Sequence, residues 1–398
     1  RKTYNSLVMK ASDSTNNMSL FVALIPVIVL IAMLAGDVIW FGEDSSYGSN
    51  QMALLIAALI AGGIGIYQGV KWEAMRDAIA ASIGQATEAI LILLLIGALA
   101  GTWLMAGIIP AFIHYGLQIL QPGIFLFAAT IICAVLSLAT GSSWGTVGTV
   151  GVALVGIGTA LGLDQGWIAG AIISGAYFGD KLSPLSDTTN LAPAVAGTDL
   201  ITHIKYLTIT TIPSFIIALL VFLFVGFGGS ATNGVETGFA DGFGVAVNGM
   251  FNIHIGLFIA PTAVLVMIAK KVPAAPALFM GVLLGALTAV IFQPDVIMMV
   301  AGVDLNFAAA SYVASMKAMA VDTAYVTGNA LADELLTAGG MKGMMNTIWL
   351  IICAMTFGAV LQAAGMLKRI TAALIAGVNN VFGLISRTVG TCIAFNIL

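Results

Sequence analysis

Charge is what this chain has least of. Its 398 residues include 14 lysines and arginines, 18 aspartates and glutamates and 3 histidines, so only 8% are charged, against about 25% in a water-soluble domain. That scarcity excludes a soluble globule. Nucleic-acid binding is excluded too, because no basic run with interleaved aromatics exists, and a net charge of −4 points to no particular partner. Cysteine is nearly missing. Cys133, Cys353 and Cys392 each stand inside an apolar segment without metal-ligand spacing, which reads as buried thiols rather than a disulfide framework or a metal centre. His114, His203 and His254 are scattered singly and read as interfacial or core residues, and no resident cofactor is expected. No signal-peptide cleavage pattern precedes the first long apolar run, so that run is expected to stay as an anchor behind a trimmed N-terminus.

What the chain has in abundance is hydrocarbon. With 60% hydrophobic residues and a mean hydropathy of +1.06 it reads as an all-α polytopic membrane protein. Its 46 glycines suit helices packed through small residues and broken helices lining a cavity. Apolar runs long enough to cross hydrocarbon lie at about 19–41, 51–70, 88–107, 205–227, 250–269, 274–293 and 346–367. Two further regions are interrupted: about 122–162, cut by Gly141-Ser-Ser-Trp-Gly-Thr-Val-Gly148, and about 164–203, cut by a polar cluster. The first reads as a re-entrant hairpin and the second as a discontinuous helix. Basic residues (Arg1, Lys2 and Lys10; Lys71 and Arg76; Lys205; Lys270 and Lys271; Lys368 and Arg369) alternate with acidic loops at Glu43–Asp44, Glu236–Asp241 and 295–342. The positive-inside rule then puts the N-terminus in the cytoplasm.

A weak internal repeat follows. Ile96 to Ile109 matches Ala354 to Leu367 at an offset of 258, with Gly107 over Gly365, and the flanking charges give the two copies opposite orientation. That is the inverted-repeat design of secondary transporters. The expected organisation is a cytoplasmic segment at 1–18, a first transmembrane repeat at 19–227, an external loop at 228–249 and a second, truncated repeat at 250–398. The same offset carries Thr140, where the first hairpin tip begins, to Leu398, so the second tip is expected to begin where the sequence stops.

Chemistry concentrates in Ser174-Gly-Ala-Tyr-Phe-Gly-Asp-Lys-Leu-Ser-Pro-Leu-Ser-Asp-Thr-Thr-Asn190. Carboxylates at lipid depth cost at least about 3 kcal/mol each, so such a cluster is by default an ion or substrate site. Asp180, Ser183, Ser186, Asp187, Thr188, Thr189 and Asn190 supply oxygens at the break, where Pro184 forbids a continuous helical ladder. Ser142, Ser143, Thr146 and Thr149 supply more at the hairpin tip. Sodium, which takes oxygen ligands from hydroxyls, carboxylates and freed carbonyls, is expected on Asp187, Asp180, Ser143 and Thr188, with Lys181 balancing charge. Other readings stand beside this one: Asp180 as a structural partner of Lys181, Asp187 as a helix cap, and single hydroxyls as packing groups. An aspartate buried there and holding a proton until a cation displaces it would couple sodium to proton movement.

Gly141-Ser-Ser-Trp-Gly-Thr-Val-Gly-Thr-Val-Gly-Val-Ala-Leu154 and Ala171-Ile-Ile-Ser-Gly-Ala-Tyr-Phe-Gly-Asp-Lys-Leu-Ser-Pro-Leu-Ser-Asp-Thr-Thr-Asn-Leu-Ala-Pro193 resemble the NhaC-type sodium/proton antiporter family, over a stretch from about residue 20 to the end. The resemblance implies a bacterial inner-membrane exchanger of the ion-transporter superfamily, with a scaffold and a moving transport domain, often a homodimer. It implies transport of Na+ and H+ and brings in related sodium-malate/proton-lactate exchangers. It also implies second-half motifs, a Ser-Asp tip and a later Ser/Glu/Asp break, expected beyond Leu398. The expected function is therefore Na+/H+ exchange by alternating access, with an organic-acid exchanger as the alternative. An intramembrane aspartyl protease is a remote third reading, suggested by Tyr177-Phe-Gly-Asp180, because that chemistry needs two aspartates on facing helices.

Overall fold

The computed structural model describes residues 18–119, 121–184, 186, 189, 193, 198–228, 239–270, 272–302, 305–328, 330–375, 382–383, 385–387 and 389–390. In chain order the helices are α1 (Leu20–Phe41), α2 (Ser49–Tyr67), α3 (Trp72–Met105), α4 (Ile108–Ile119), α5 (Pro122–Thr140) and α6 (Ser143–Thr146). A π-turn at Val147–Gly151 carries α6 into α7 (Val152–Ala160), and α8 (Gln165–Leu182) and α9 (Leu200–Phe227) follow. Next come α10 (Phe239–Met250), α11 (Ile259–Ala269), α12 (Ala274–Phe292), α13 (Pro294–Ala301) and α14 (Phe307–Ala320). A two-residue strand β1 (Thr323–Ala324), α15 (Ala330–Leu335), β2 (Thr337–Ala338), α16 (Gly340–Gly343), α17 (Met345–Ala363) and α18 (Met366–Ile375) complete the order. Among the described residues eight helices are long and apolar enough to span a bilayer, which makes this an all-α multi-pass membrane protein.

Contacts divide the chain into two compact units, 1–90 with 345–398, and 91–344. In the first, α2 packs on α1 and α17, around a core that includes Ala61, Met75, Val360 and Ala364. The buried Gln51 side chain ties three segments of this unit together. Its Nε2 donates to the Ser46 carbonyl at 2.8 Å and to Asn346 Oδ1 at 3.1 Å, while its Oε1 accepts from the Gly48 amide at 3.0 Å. Each of these groups would otherwise be an unpaired polar atom in an apolar setting, so the amide fixes the turn after α1 against the start of α17.

In the second unit one large core runs from Ile92 to Leu336. The tightest helix pair is α5 with α8. A Cβ at Gly175 would collide with the Thr130 carbonyl, and one at Gly179 with the Ala134 carbonyl and the Leu138 amide, so only glycine lets the two backbones come this close. Elsewhere Gln293, 2% exposed, donates to the Ala106 and Asn252 carbonyls at 3.3 and 3.0 Å and accepts from the Asn252 amide at 2.9 Å. From the break between α12 and α13 it thereby satisfies backbone groups freed at two others, after α3 and after α10.

Two expectations need amendment. The run at 250–269 is not one span: α10 ends at Met250 and helix resumes only at Ile255, because His254 adopts an extended conformation and its Nδ1 accepts from the Gly256 amide at 3.1 Å. The acidic stretch 295–342 is not an extended loop. It forms α13, α14 and the β1–β2 ladder, and packs along α3, where a Cβ on Gly97 would strike the Gly340 carbonyl and one on Gly101 the Ala318 carbonyl. Cys133 and Cys353 are buried free thiols; Cys392 lies outside the described residues.

The segments paired by the repeat share a local backbone path. Gly107 and Gly365 both have φ of +74°, and helix resumes at the next residue in each case. The hydrogen bonds correspond at the same offset: the Gly107 amide to the Leu104 carbonyl at 2.9 Å, and the Gly365 amide to the Gln362 carbonyl at 3.0 Å. The counterpart of Thr140, where the first hairpin tip begins, is Leu398, which lies outside the described residues.

Candidate functional site

The site is built where α5 turns back into α6 and where α8 stops. Gly141 ends α5 in the left-handed region, at φ +69° and ψ +23°, which a Cβ would disfavour. Ser142 then caps α6: its Oγ accepts from the Gly145 amide at 3.0 Å. This places Ser143, 7% exposed, in the first turn of a helix whose free amides make that end positive. Both arms of the hairpin contain 18-residue stretches of spanning character, about 27 Å at 1.5 Å per residue. Each arm is therefore as long as a full crossing.

Thr146 and Thr149 are buried, and each hydroxyl donates to a carbonyl four residues back: Thr146 to Ser142 at 2.9 Å and Thr149 to Gly145 at 2.6 Å. Donation uses the proton and leaves the oxygen lone pairs free for a cation. The π-turn beginning at Val147 widens the helix at this level, a feature often found at functional sites.

On the facing side α8 ends at Leu182, one residue ahead of Ser183 and two ahead of Pro184, as the proline dictates. Asp180 sits in its last turn, and Asp180 Oδ2 accepts from Ser143 Oγ at 2.9 Å. This contact joins the tip to the break. The carbonyls left free by the break are satisfied by residues beyond it: Thr189 Oγ1 donates to the Asp180 and Lys181 carbonyls at 2.9 and 3.1 Å. Ser183, fully buried, donates across to the Leu138 carbonyl at 2.8 Å, and Ser186 Oγ accepts from the Thr189 amide at 3.4 Å. α9 begins at Leu200 behind an Asp199 cap, and Phe178 stacks on Phe215 at 3.7 Å to hold α8 against α9.

Of the expected residues, Ser142, Ser143, Thr146, Asp180, Ser183 and Ser186 come together here. Asp187, Thr188 and Asn190 lie outside the described residues. Lys181 is exposed, and the two ion pairs among the described residues lie elsewhere, Arg76 with Asp77 and Lys342 with Asp322. Ser183 ties the break to the α5 backbone, and Ser186 accepts from the Thr189 amide beyond it. Ser137 belongs with them, since its buried hydroxyl donates to the Ala176 carbonyl between α5 and α8. The glycine pair at 175 and 179, four residues apart, was the available signal for that close approach. Among the described residues no group of three or more His, Cys, Asp and Glu is placed to hold a metal ion.

A multi-pass helical protein that interrupts two adjacent elements and brings hydroxyls onto a carboxylate has the construction of a secondary transporter. The model of the Na+/H+ antiporter family matches residues 175–398, and the chain belongs to that family. It is 39% identical over 318 residues to a malate-2H(+)/Na(+)-lactate antiporter of Bacillus subtilis, covering 80% of this chain and 64% of that protein. It is 35% identical over 345 residues to the Na(+)/H(+) antiporter NhaC of Alkalihalophilus pseudofirmus, covering 87% and 71%. An arginine/ornithine antiporter of Halobacterium salinarum is 33% identical over 351 residues, covering 87% and 68%. The chain thus spans about two thirds of the length of these relatives. No solved structure matches it.

Proposed function

We propose that this protein exchanges Na+ for H+ across a bacterial plasma membrane by alternating access, with its N-terminus in the cytoplasm. The observation that carries the reading is the 2.9 Å contact between Ser143 Oγ and Asp180 Oδ2, which sets a hydroxyl and a carboxylate side by side at two helix interruptions. Na+ takes the place of the Ser143 hydroxyl proton between the two oxygens, as the hydroxyl turns that proton away. The ion sits between Asp180 and the Ser143 oxygen, with Asp187 and Thr188 closing the shell and Lys181 compensating charge as the ion leaves. Protons and Na+ compete for the same carboxylates, so occupancy by one excludes the other, and that competition is sufficient for exchange. Thr146 contributes an oxygen lone pair. Ser142, Ser183 and Ser186 hold the tip and the break in shape, and Asn190 is a further ion-binding residue.

Reconstitution of the full-length protein in proteoliposomes with an internal pH probe tests this. Addition of Na+ alone, on the face opposite to the trapped buffer, drives proton movement; Na+ without any pH response overturns the reading. A second reading has support of its own in the malate-2H(+)/Na(+)-lactate relative. The positive end of α6 suits a carboxylate as well as the hydroxyls suit a cation. Under that reading the pH response to Na+ appears only when malate or lactate is present on the other side.

A further inference from the structure

Of the helices packed at the break, α9 carries a hydroxyl that the exchange site does not use. Most of its hydroxyls bond to their own helix: Thr208 to the Ile204 carbonyl at 2.8 Å, Thr210 to Leu207 at 3.1 Å, and Ser214 to Thr210 and Thr211 at 3.1 and 3.0 Å. Such back-bonding is the ordinary way a membrane helix satisfies them. Thr211 is the exception. It is buried, 8% exposed, between exposed Thr210 and Ile212, and its Oγ1 closes no hydrogen bond among the described residues. A hydroxyl buried in this way carries a desolvation cost that valine, of nearly the same shape, would not, so its presence calls for an explanation.

Two independent contacts fix its depth. α9 packs on both α5 and α8, and Trp167 against Phe222 with Phe178 against Phe215 shows that it runs antiparallel to them. A Cβ on Gly226 would strike the Gly123 carbonyl, and about 22 Å further along each helix, at 1.5 Å per residue, stand Thr211 and Leu138. From the Phe178–Phe215 stack, one turn along each helix leads to Leu182 and Thr211. The two counts meet at one place, because Ser183 Oγ donates to the Leu138 carbonyl there. Pro213 falls level with Asp180 by the same count, and without an amide proton it leaves the Ile209 carbonyl no helical donor. Thus α5 and α8 end, and α9 loses a rung, at the depth of the exchange site. The last carbonyls of a helix have no partner within it. In α8 those of Asp180 and Lys181 are taken by Thr189, and Leu182 is the next in line.

We infer that Thr211 holds a buried water at the end of α8 and is thereby a positioning residue of the exchange site. The water accepts from the Thr211 hydroxyl and gives its two protons to the Leu182 carbonyl and to the second lone pair of the Leu138 carbonyl, three bonds being the usual complement of a buried water. It ties α9 to the ends of α5 and α8, and so fixes where α8 stops and where Asp180 stands. The water is independent of the exchange reading; the positioning role rests on it. The test compares Thr211→Val and Thr211→Ser in purified full-length protein. If the water is held, valine strands it and the apparent unfolding midpoint falls by about 2 °C or more, whereas serine keeps the parent's midpoint. If the hydroxyl is simply unpaired in a dry contact, valine removes a desolvation cost and the midpoint stays or rises, which overturns the inference. Positioning is read in proteoliposomes: Thr211→Val raises the Na+ concentration for half-maximal exchange about threefold or more with the maximal rate kept, and serine restores it. A lowered midpoint with unaltered sodium dependence overturns the positioning role. Parent protein that moves no protons with Na+ overturns the exchange reading instead, and the midpoints still decide the water.

Discussion

Two interruptions in the same unit handle their polar groups in opposite ways. At the tip and break, Ser143 donates to Asp180, Ser183 to the Leu138 carbonyl and Thr189 to the Asp180 carbonyl, at 2.8–2.9 Å. At the ladder, Asp322 and Lys342 pair at 2.6 Å with both side chains largely exposed. A buried network whose members satisfy one another fixes a shape, whereas an exposed ion pair contributes little. The first region is thus pre-organised around a carboxylate, and the second holds its carboxylate only loosely at the surface.

The largest effect that sharpens this contrast comes from charge removed without shape. Asn at 180 still accepts from Ser143, so Asp180→Asn keeps the geometry and loses only the negative charge. Sodium-driven proton movement falls at least about 100-fold, some 2.7 kcal/mol of barrier. Asp187→Asn abolishes it as well, and near-normal exchange in that variant removes Asp187 from the mechanism. Asp322→Asn, by contrast, leaves maximal exchange within about threefold, the scatter of a 0.6 kcal/mol change. Equal losses at 180 and 322 break the comparison.

Shape removed without charge comes next. Gly179→Val drives a side chain into the Ala134 carbonyl, an overpacking loss of about 1–3 kcal/mol. Detergent-solubilised protein aggregates at lower temperature and exchange falls with it. Unchanged thermal stability shows that α5 and α8 are not held by backbone contact. Ser143→Ala is milder, because it deletes one hydrogen bond to a charged group, about 1.5–3 kcal/mol. The Na+ concentration for half-maximal exchange rises about tenfold or more, with maximal rate retained. An unaltered sodium response detaches Ser143 from the ion.

Much of this site is legible in the residues alone, for definite reasons. Pro184 and Gly141 each impose a local backbone outcome that no packing reverses, so the break and the tip sit where those residues stand. Spans such as Leu20–Phe41 follow from length and hydropathy. What escapes is whatever depends on partners far along the chain. The Ser183 hydroxyl looks like a site oxygen until its acceptor, the Leu138 carbonyl, is seen across α5 and α8, and nothing in the sequence singles out Ser137, which donates to the Ala176 carbonyl. The ladder escapes because Thr323–Ala324 and Thr337–Ala338 are too short for a period-2 signal. His254 ends a helix within an apolar run by a side-chain contact that hydropathy does not register.

The smallest expected effect lies at the start of α9. Asp199 caps α9 by accepting from the Thr202 amide at 2.9 Å. The Thr202 side chain and amide together hold its carboxyl below the ordinary 3.8. A carboxyl lowered in the folded state contributes stability that is complete above its unfolded value and lost as pH falls through the folded one. The cap is therefore fully closed from neutral pH down to about pH 5, and opens only in acid below the ordinary aspartate range. Asparagine caps as well but does not titrate there. Asp199→Asn should match the parent protein in thermal stability at pH 7, and the two curves should diverge only below about pH 4, where the parent alone loses its cap. Because Asp199 is solvent-exposed, the divergence is small. Curves that separate near pH 7 would instead make Asp199 a charge on which the break depends, and would extend the pre-organised region past Thr189 to the start of α9.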